Sequence, residues 1–149
     1  MSEHTDRGLA VLECCQAIPC NPCTSACKTG AITKDSLTSL PVFHPEKCIG
    51  CRMCVAACSG QAIFFLRRCG EGQVEITFPY EYLPLPHVGQ TVTALDRMGQ
   101  PVCQAAVTGV DCPKAYNKTT LVTLAVPEQY QDTVRFMQRL PREEASHER

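Results

Sequence analysis

Cys20-Asn-Pro-Cys-Thr-Ser-Ala-Cys27 is repeated 31 residues later as Cys51-Arg-Met-Cys-Val-Ala-Ala-Cys58. Both copies have the spacing C-x2-C-x3-C, an alanine before the last cysteine, and the pair Ala-Ile beginning four residues after it. Cys48 stands before the second copy and extends it to C-x2-C-x2-C-x3-C. A motif duplicated at this distance predicts two similar structural units close together in a short chain.

The extended spacing is the sequence signature of a cubane iron–sulfur cluster, which four cysteine thiolates hold. In such a run the first three cysteines bind one cluster, and the fourth binds the other cluster of a two-cluster protein. We therefore expect two 4Fe–4S clusters side by side, an arrangement that suits the passage of electrons along a line. The ligands predicted for the second cluster are Cys27, Cys48, Cys51 and Cys54.

The first cluster has a displaced ligand. By the repeat, its first cysteine would stand at position 17, which is Ala17, while Cys14 and Cys15 lie just upstream. We predict that Cys14 reaches in by a longer loop and that Cys15 packs beneath the site, with Cys15 as the alternative ligand. A site with only three cysteines would suit a 3Fe–4S cluster. The ligands predicted for the first cluster are Cys14, Cys20, Cys23 and Cys58.

Two other uses of cysteine compete with this interpretation of a chain that has 12 cysteines. Zinc sites also use C-x2-C pairs, but as two separated knuckles rather than as a duplicated run of this kind. A disulfide framework is typical of secreted proteins, and the polar start Met1–Arg7 shows no secretory signal. A reducing cytoplasm is therefore expected. The isolated Cys69, Cys103 and Cys112 are interpreted as buried apolar residues.

Charge and composition exclude several functions. The net charge is −1 and no basic stripe with interleaved aromatic residues is present, which gives no support to nucleic-acid binding. No apolar run approaches the roughly 20 residues of a membrane-spanning helix, so direct membrane insertion is not expected. Several basic side chains near the cysteine runs would raise the cluster potentials, but the favoured interpretation is ordinary solvated charge: Lys28, Lys47, Arg52, Arg67 and Arg68.

The fold class predicted is α+β, with two domains. Residues 11–78 are expected to form the cluster domain from short hairpins and helical turns, ending in a hairpin of Phe64–Arg68 with Val74–Phe78. Residues 79–149 are expected to form a small β-rich appendage with a mobile tail. Its strands are predicted at Val92–Asp96, Pro101–Val110 and Thr119–Val126.

The end of the appendage is predicted to be a helix. Pro127 suits a first helical turn, and an apolar stripe follows it at helical spacing, formed by Tyr130, Val134, Met137 and the neighbouring Leu140.

Over roughly residues 12–66 the chain resembles the bacterial-type ferredoxins with two 4Fe–4S clusters. The resemblance rests on Cys48-Ile-Gly-Cys-Arg-Met-Cys-Val-Ala-Ala-Cys58 and on its imperfect partner Cys20–Cys27. It implies a pseudo-twofold fold of two short hairpins and two helical turns around the clusters. The chain departs from the family's pattern where Lys28 and Ser59 replace the usual proline after each fourth cysteine.

A narrower resemblance covers most of the chain. Glu13-Cys-Cys-Gln-Ala-Ile-Pro-Cys-Asn-Pro-Cys23 and Pro79-Tyr-Glu-Tyr-Leu-Pro-Leu-Pro86 are similar to segments of small iron–sulfur subunits that accompany FAD-dependent dehydrogenases of proline, hydroxyproline, opines or related amino acids. The resemblance implies a partner that carries FAD, with this chain removing single electrons from the reduced flavin. Separately, the stretch Pro79–Pro86, with Tyr80, Tyr82 and Leu83 expected to be exposed, is interpreted as a docking edge, and the alternative is that these residues pack the appendage on the cluster domain.

Three functions follow from these patterns. The first is a non-catalytic electron-transfer subunit of a flavoprotein dehydrogenase complex. The second is a free-standing ferredoxin with two clusters that serves several partners. The third is a cluster-based sensor or scaffold, in which the displaced ligand would be the labile point. No phosphate-binding loop, nucleophile motif or paired carboxylates in a plausible setting support catalysis by the chain alone.

Overall fold

In a computed structural model of the protein, strands make up most of the regular secondary structure of the described residues. The structure describes residues 8–13, 22–36, 38–58, 62–70, 72–80, 84–112, 119–138 and 140. The strands are β1 (Leu9–Leu12), β2 (Ile32–Thr33), β3 (Val42–Phe43), β4 (Ile63–Gly70), β5 (Gln73–Pro79), β6 (Thr91–Leu95), β7 (Pro101–Asp111), β8 (Leu121–Pro127) and β9 (Phe136–Met137). Two five-residue helices, α1 (Pro22–Ala26) and α2 (Met53–Ala57), carry the cysteine repeat.

One antiparallel sheet of seven strands has the order β1-β4-β5-β8-β7-β6-β9, and β2 pairs separately with β3. The predicted hairpin is confirmed as the pair β4–β5, and the three strands predicted after it are confirmed as β6, β7 and β8. The regular structure of the described residues is mostly strand, with two short helices. This is less helix than the predicted α+β class implies.

The main core lies against the middle of the sheet. Alternate residues of β5, namely Val74, Ile76 and Phe78, are fully buried, as the period of two in a strand requires. They pack with the buried residues of β8, Leu124 and Val126 among them. Each such side chain contributes about 1.5–3 kcal/mol relative to an exposed position. Among the described residues, no cysteine that is predicted as a ligand belongs to this core.

Two buried threonines satisfy each other inside the sheet. Thr77 of β5 and Thr123 of β8 are directly paired and are 1% and 6% exposed. Their hydroxyl oxygens are 2.8 Å apart, so one hydroxyl donates to the other. The pair meets the requirement that a buried polar group has a hydrogen-bond partner.

A second core joins the cysteine turns to the sheet. Buried residues from the cysteine runs meet buried residues of the strands in one cluster: Ala10, Cys23, Ile32, Cys54, Val55, Ile63, Phe65 and Leu121. The backbone approaches Phe65 of β4 closely at Gly8, whose φ is +97°. A Cβ at this position would lie only 2.4 Å from Cζ of Phe65. Glycine is the residue that adopts this conformation and fits this space.

The predicted C-terminal helix is wrong. A 3-10 turn at Glu128–Tyr130 follows β8, and Phe136–Met137 then form β9, which pairs with β6 at the edge of the sheet. Val134 and Met137 are fully buried, so the apolar spacing marked burial correctly. A turn followed by a short strand buries residues at the same spacing as one helical face, and pairing with β6 satisfies the backbone of β9.

The proline-rich stretch after β5 differs from the docking edge proposed for it. Tyr80 is 1% exposed, and its hydroxyl accepts a hydrogen bond from the Leu140 N–H at 3.4 Å, so this side chain belongs to the core. Tyr82 and Leu83 lie outside the described residues. The predicted domain boundary after residue 78 falls inside β5, and the strands before and after it share one sheet. The division into two domains stays a prediction.

None of the helices in the described ranges is long and apolar enough to cross a lipid bilayer.

Candidate metal centre

The cysteine repeat forms two equivalent helical turns. Helix α1 carries Cys23 and helix α2 carries Cys54, at positions 31 residues apart, and both thiols are buried. Each turn ends in the same way, because the N–H of Cys27 donates to the carbonyl of Cys23 and that of Cys58 to the carbonyl of Cys54, both at 3.1 Å. The two copies therefore present their thiols in the same local geometry.

The last cysteine of each copy receives an equivalent hydrogen bond. The Ala31 N–H donates to Sγ of Cys27 at 3.3 Å, and the Ala62 N–H donates to Sγ of Cys58 at 3.4 Å. These donors are the alanines of the repeated Ala-Ile pair, whose isoleucines, Ile32 and Ile63, are buried. An N–H directed at sulfur favours the thiolate over the thiol, and such bonds tune the potential of iron–sulfur clusters.

The Cys27 thiol titrates below its ordinary range. Burial raises the pKa of Cys27, but hydrogen bonds from the Thr29 hydroxyl, 3.5 Å away, and from the Ala31 N–H outweigh burial and lower it. The thiolate is the form of cysteine that ligates metals.

Four of the predicted ligands line one small cavity that opens to solvent: Cys27, Cys48, Cys51 and Cys54. They come from both copies of the repeat. Small and apolar groups complete the lining, among them Ala10 of β1, Ala31, Ile32 and Phe65 of β4. These are the four cysteines that the sequence assigned to the second cluster.

Thiol proximity is also visible in the electrostatics of the cavity. Burial, followed by the nearby thiols of Cys48, Cys51 and Cys27, raises the pKa of Cys54 to about 12. Without metal this thiol holds its proton at neutral pH, so a metal that binds here must displace the proton.

The other half of the repeat shows the complementary contact. Burial, followed by the neighbouring Cys58, raises the pKa of Cys23. Cys58 of the second copy is therefore near enough to Cys23 of the first to act on its pKa, and Cys27 of the first copy lines the same cavity as Cys54 of the second. This proximity is compatible with the predicted exchange of the last cysteine between the two copies.

The first predicted site is described only in part. Cys14, Cys15 and Cys20 lie outside the described residues, so Cys23 and Cys58 alone can be located. Within the ranges that the structure describes, no three or more His, Cys, Asp or Glu side chains are grouped to hold a single metal ion. The assignment of ligands to each cluster stays a prediction.

The residues around the cavity fit a 4Fe–4S cluster in their chemistry. Such a cluster takes four thiolates, and its potential is set by hydrogen bonds to sulfur, charge and solvent exposure. The cavity offers four thiols from two turns, a backbone N–H directed at sulfur, and small side chains that let the backbone approach.

Arg52 belongs to the site, in agreement with the less favoured of its two sequence interpretations. It lines the cavity, its guanidinium lies 5.5 Å from the centroid of the Phe65 ring, and it reaches Asp111 of β7 at 4.0 Å. Its backbone is left-handed, with φ at 64°, just before α2. A weak signal exists, because the repeat aligns Arg52 with Asn21, and asparagine favours this conformation.

Comparison with protein families agrees with this geometry. Residues 15–62 match the profile of the 4Fe-4S dicluster domain. The predicted resemblance to two-cluster ferredoxins is confirmed for these residues, and the match supports iron–sulfur clusters as the cofactor class. The matched residues include every predicted ligand except Cys14.

Three curated relatives share part of the chain. The chain is 43% identical over 54 residues to the "Aliphatic sulfonate oxidoreductase, polyferredoxin-like subunit" of Pyrococcus furiosus, which covers 36% of this chain and 31% of that protein. It is 39% identical over 44 residues to "Protein NrfC" of Escherichia coli K12. It is 41% identical over 44 residues to "Protein NrfC homolog" of Haemophilus influenzae.

The relatives are longer than the shared region. The matches to the two NrfC proteins each cover 30% of this chain and 20% of the relative, so the chain spans a third or less of the length of these proteins. No solved structure matches the chain significantly.

Proposed function

We propose that this chain is the electron-transfer iron–sulfur subunit of a multi-subunit flavoprotein dehydrogenase. In this proposal it relays single electrons from reduced FAD on a partner subunit to an acceptor, through two 4Fe–4S clusters. The observation that carries the proposal is that cysteines of both copies line one cavity, where Cys27 of the first copy meets Cys48, Cys51 and Cys54 of the second. Copies that meet in this way would hold two redox groups close together in one short chain.

The residues that would hold the clusters are those of the repeat. We assign Cys27, Cys48, Cys51 and Cys54 to one cluster on the strength of their shared cavity. Cys23 and Cys58, with Cys20 and Cys14 from outside the described ranges, are assigned to the other. When bound, each cluster supplies reversible one-electron chemistry at a potential that its surroundings set. The chain's own contribution is to orient the thiols, donate N–H groups to sulfur and cover the clusters with apolar side chains.

A complex with a flavoprotein is supported by two kinds of likeness. The Pyrococcus furiosus relative is by its name a polyferredoxin-like subunit of an oxidoreductase. The segments 13–23 and 79–86 are similar to small subunits of FAD-dependent dehydrogenases. We therefore propose a hetero-oligomer in the cytoplasm, where a reducing environment keeps the 12 cysteines available for metal.

A free-standing ferredoxin with two clusters is the second candidate. It is favoured by the accessibility of the cavity at Cys51, which is exposed, and at Ile49, whose side chain is 65% exposed. Leu40 and Val42, both 48% exposed, add apolar surface in the same cysteine segment. An accessible edge of this kind would serve several partners by brief contact.

The ratio of flavin to iron separates the two candidates. The protein is purified gently and without oxygen from its own cell, and both are measured per chain. The proposal predicts stoichiometric FAD with about eight iron per chain, or more iron if the partner carries its own. About eight iron with no flavin would instead identify a free ferredoxin, and the proposal of a flavoprotein subunit would be abandoned.

A further inference from the structure

Glu13, which directly follows β1, forms hydrogen bonds with two arginines that flank strands at the other end of the strand order. Arg97 lies between β6 and β7, and Arg135 lies just before β9. Arg97 donates from Nε to Oε1 of Glu13 at 2.7 Å and from Nη2 to Oε2, and Arg135 donates from Nε to Oε2 at 2.8 Å. We call Glu13, Arg97 and Arg135 the Glu13 clamp. It links the first strand of the sheet to the strands at its far end.

Both arginines are anchored by backbone carbonyls. Arg97 Nη1 donates to the carbonyl of Asp132 at 2.8 Å, and Arg135 Nη1 donates to the carbonyls of Gln131 and Val134, each at 2.7 Å. These hydrogen bonds hold both guanidinium groups in position independently of Glu13.

Arg135 is a buried charge that depends on this carboxylate. It is 4% exposed, and its guanidinium lies 5.5 Å from the centroid of the Phe64 ring of β4. Removing one partner of a buried ion pair leaves an uncompensated charge, which is strongly destabilising.

The backbone of Glu13 leads to the metal centre. Its N–H donates to the carbonyl of Ala62 at 2.7 Å and continues the ladder between β1 and β4. The N–H of the same Ala62 donates to Sγ of Cys58. Two hydrogen bonds thus separate the clamp from a predicted cluster ligand.

The strand before Glu13 leads to the other half of the centre. Ala10 of β1 is paired with Phe65 of β4, and both line the cavity of the four cysteines. If the end of β1 moved away from the sheet, it would move one wall of that cavity and the Ala62 N–H together.

We propose that Glu13 is a positioning residue of the iron–sulfur centre. Held by Arg97 and Arg135, it fixes the end of β1 and Ala62 in place. It thereby maintains the hydrogen bond from the Ala62 N–H to Cys58 and keeps β1 against the cavity. The proposal rests on the binding of clusters by this chain, and it makes the C-terminal strands a requirement for stable cluster retention.

The test measures how fast iron leaves the protein. The full chain is purified anaerobically with its clusters, and iron release to a bathophenanthroline chelator is followed for the wild type, Glu13→Gln and Glu13→Asp. Glu13→Gln keeps the size but loses the charge-assisted hydrogen bonds, so we expect release about tenfold faster. Glu13→Asp retains a carboxylate and is expected to stay within about threefold of the wild type.

A matched control separates positioning from general stability. Val126→Ala removes buried volume in the main core, which contains no predicted ligand, and lowers the melting temperature without touching the clamp. Its iron release is expected to stay within about twofold of the wild type. The EPR line shape of the reduced clusters is expected to change in Glu13→Gln and to be unchanged in Val126→Ala, because only the former shifts the donor to Cys58.

Two results would overturn the proposal. One is iron release from Glu13→Gln that is no faster than from Val126→Ala at an equal loss of melting temperature. The other is a Glu13→Asp protein that loses iron as fast as Glu13→Gln. A wild-type protein that carries no iron–sulfur cluster would contradict the proposed function as well, whereas a fully loaded wild type with an unaffected Glu13→Gln contradicts the clamp alone.

Discussion

The cysteine segment, residues 22–58, and the seven-stranded sheet are ordered by different forces. In the cysteine segment the helices have five residues and β2 and β3 have two each, whereas β7 of the sheet has 11. Helices of one or two turns are unstable by themselves in water. The sheet has a core of fully buried aliphatic and aromatic side chains. The sheet is therefore stabilised by apolar burial, and we infer that the cysteine segment depends more on bound clusters, beyond the buried side chains that it shares with the sheet.

This difference shows why one chain combines the two regions. A metal-bound segment places thiols accurately but contains little apolar surface of its own, so it uses the sheet as a wall through Ala10 and Phe65. Among the described residues, the main core of the sheet in turn contains none of the predicted ligands. The contrast predicts that disturbance of the metal and disturbance of the apolar core have separable consequences.

Removal of iron is expected to have the largest effect. Chelation under oxidising conditions should open the cysteine segment, because binding free energy at such sites is folding free energy. Hydrogen exchange measured by mass spectrometry should show peptides from residues 22–58 losing protection, while peptides from β5 and β8 keep theirs. Equal loss of protection in both regions would contradict the separation of the two regions.

Loss of one ligand is expected to have the next largest effect. Cys51→Ala should reduce iron from about eight per chain to between about four and about seven, since the affected site either loses its cluster or keeps a 3Fe–4S cluster on its three remaining thiolates. The matched control is Cys103→Ala, in a half-buried cysteine of β7 that packs against the main core. Iron analysis of the anaerobic protein checks both variants, and iron loss from Cys103→Ala would show that the ligand assignment is wrong.

A cavity in the main core should act on stability alone. Leu124 of β8 is fully buried, and Leu124→Ala is expected to lower the free energy of unfolding by about 2–5 kcal/mol. Iron content at low temperature should be unchanged. Met98→Ala, at a side chain that is 83% exposed, should change stability by no more than about 0.5 kcal/mol. Denaturant unfolding followed by circular dichroism measures both, and half-loaded clusters in Leu124→Ala would contradict the prediction.

Substitutions in the buried threonine pair should have the smallest effect on stability, and a second substitution should partly restore the stability that the first one removes. Thr77→Val leaves the hydroxyl of Thr123 without its partner and is expected to cost about 1–3 kcal/mol. Replacing both residues by valine removes both polar groups, so the double variant should recover much of that loss. A double-mutant cycle in denaturant tests this, and strictly additive losses would show that the two hydroxyls act independently.

Regions with a strong spacing rule could be predicted from the sequence. The distances between cysteines fix which thiols share a helical turn, and the repeat at 31 residues correctly predicted equivalent turns at Cys23 and Cys54. Alternation of apolar residues also predicted the hairpin and the three later strands. In each case a local period leads directly to a local structure.

Other features depend on contacts that no local period specifies. The spacing of Tyr130, Val134 and Met137 fits one face of a helix, yet an open sheet edge at β6 was available and β9 pairs with it. Tyr80 is buried because Leu140, 60 residues later, approaches its hydroxyl. The ligand Cys14 lies outside the described residues and stays a prediction.

The Glu13 clamp was invisible in the sequence for the same reason. Glu13 and Arg135 are 122 residues apart in the sequence, and they meet only because the fold brings the end of β1 close to the start of β9. The position of Arg52 had one sequence signal, its alignment with Asn21. Long-range ion pairs have no such marker in a single sequence.

The central claim is that this chain holds two adjacent clusters that carry single electrons. The most direct measurement is a potentiometric EPR titration of the anaerobically purified protein, together with its iron content. The account predicts about eight iron per chain and two reducible clusters whose signals broaden by mutual interaction when both are reduced. Zinc in place of iron, or a single isolated cluster signal at full reduction, would contradict it.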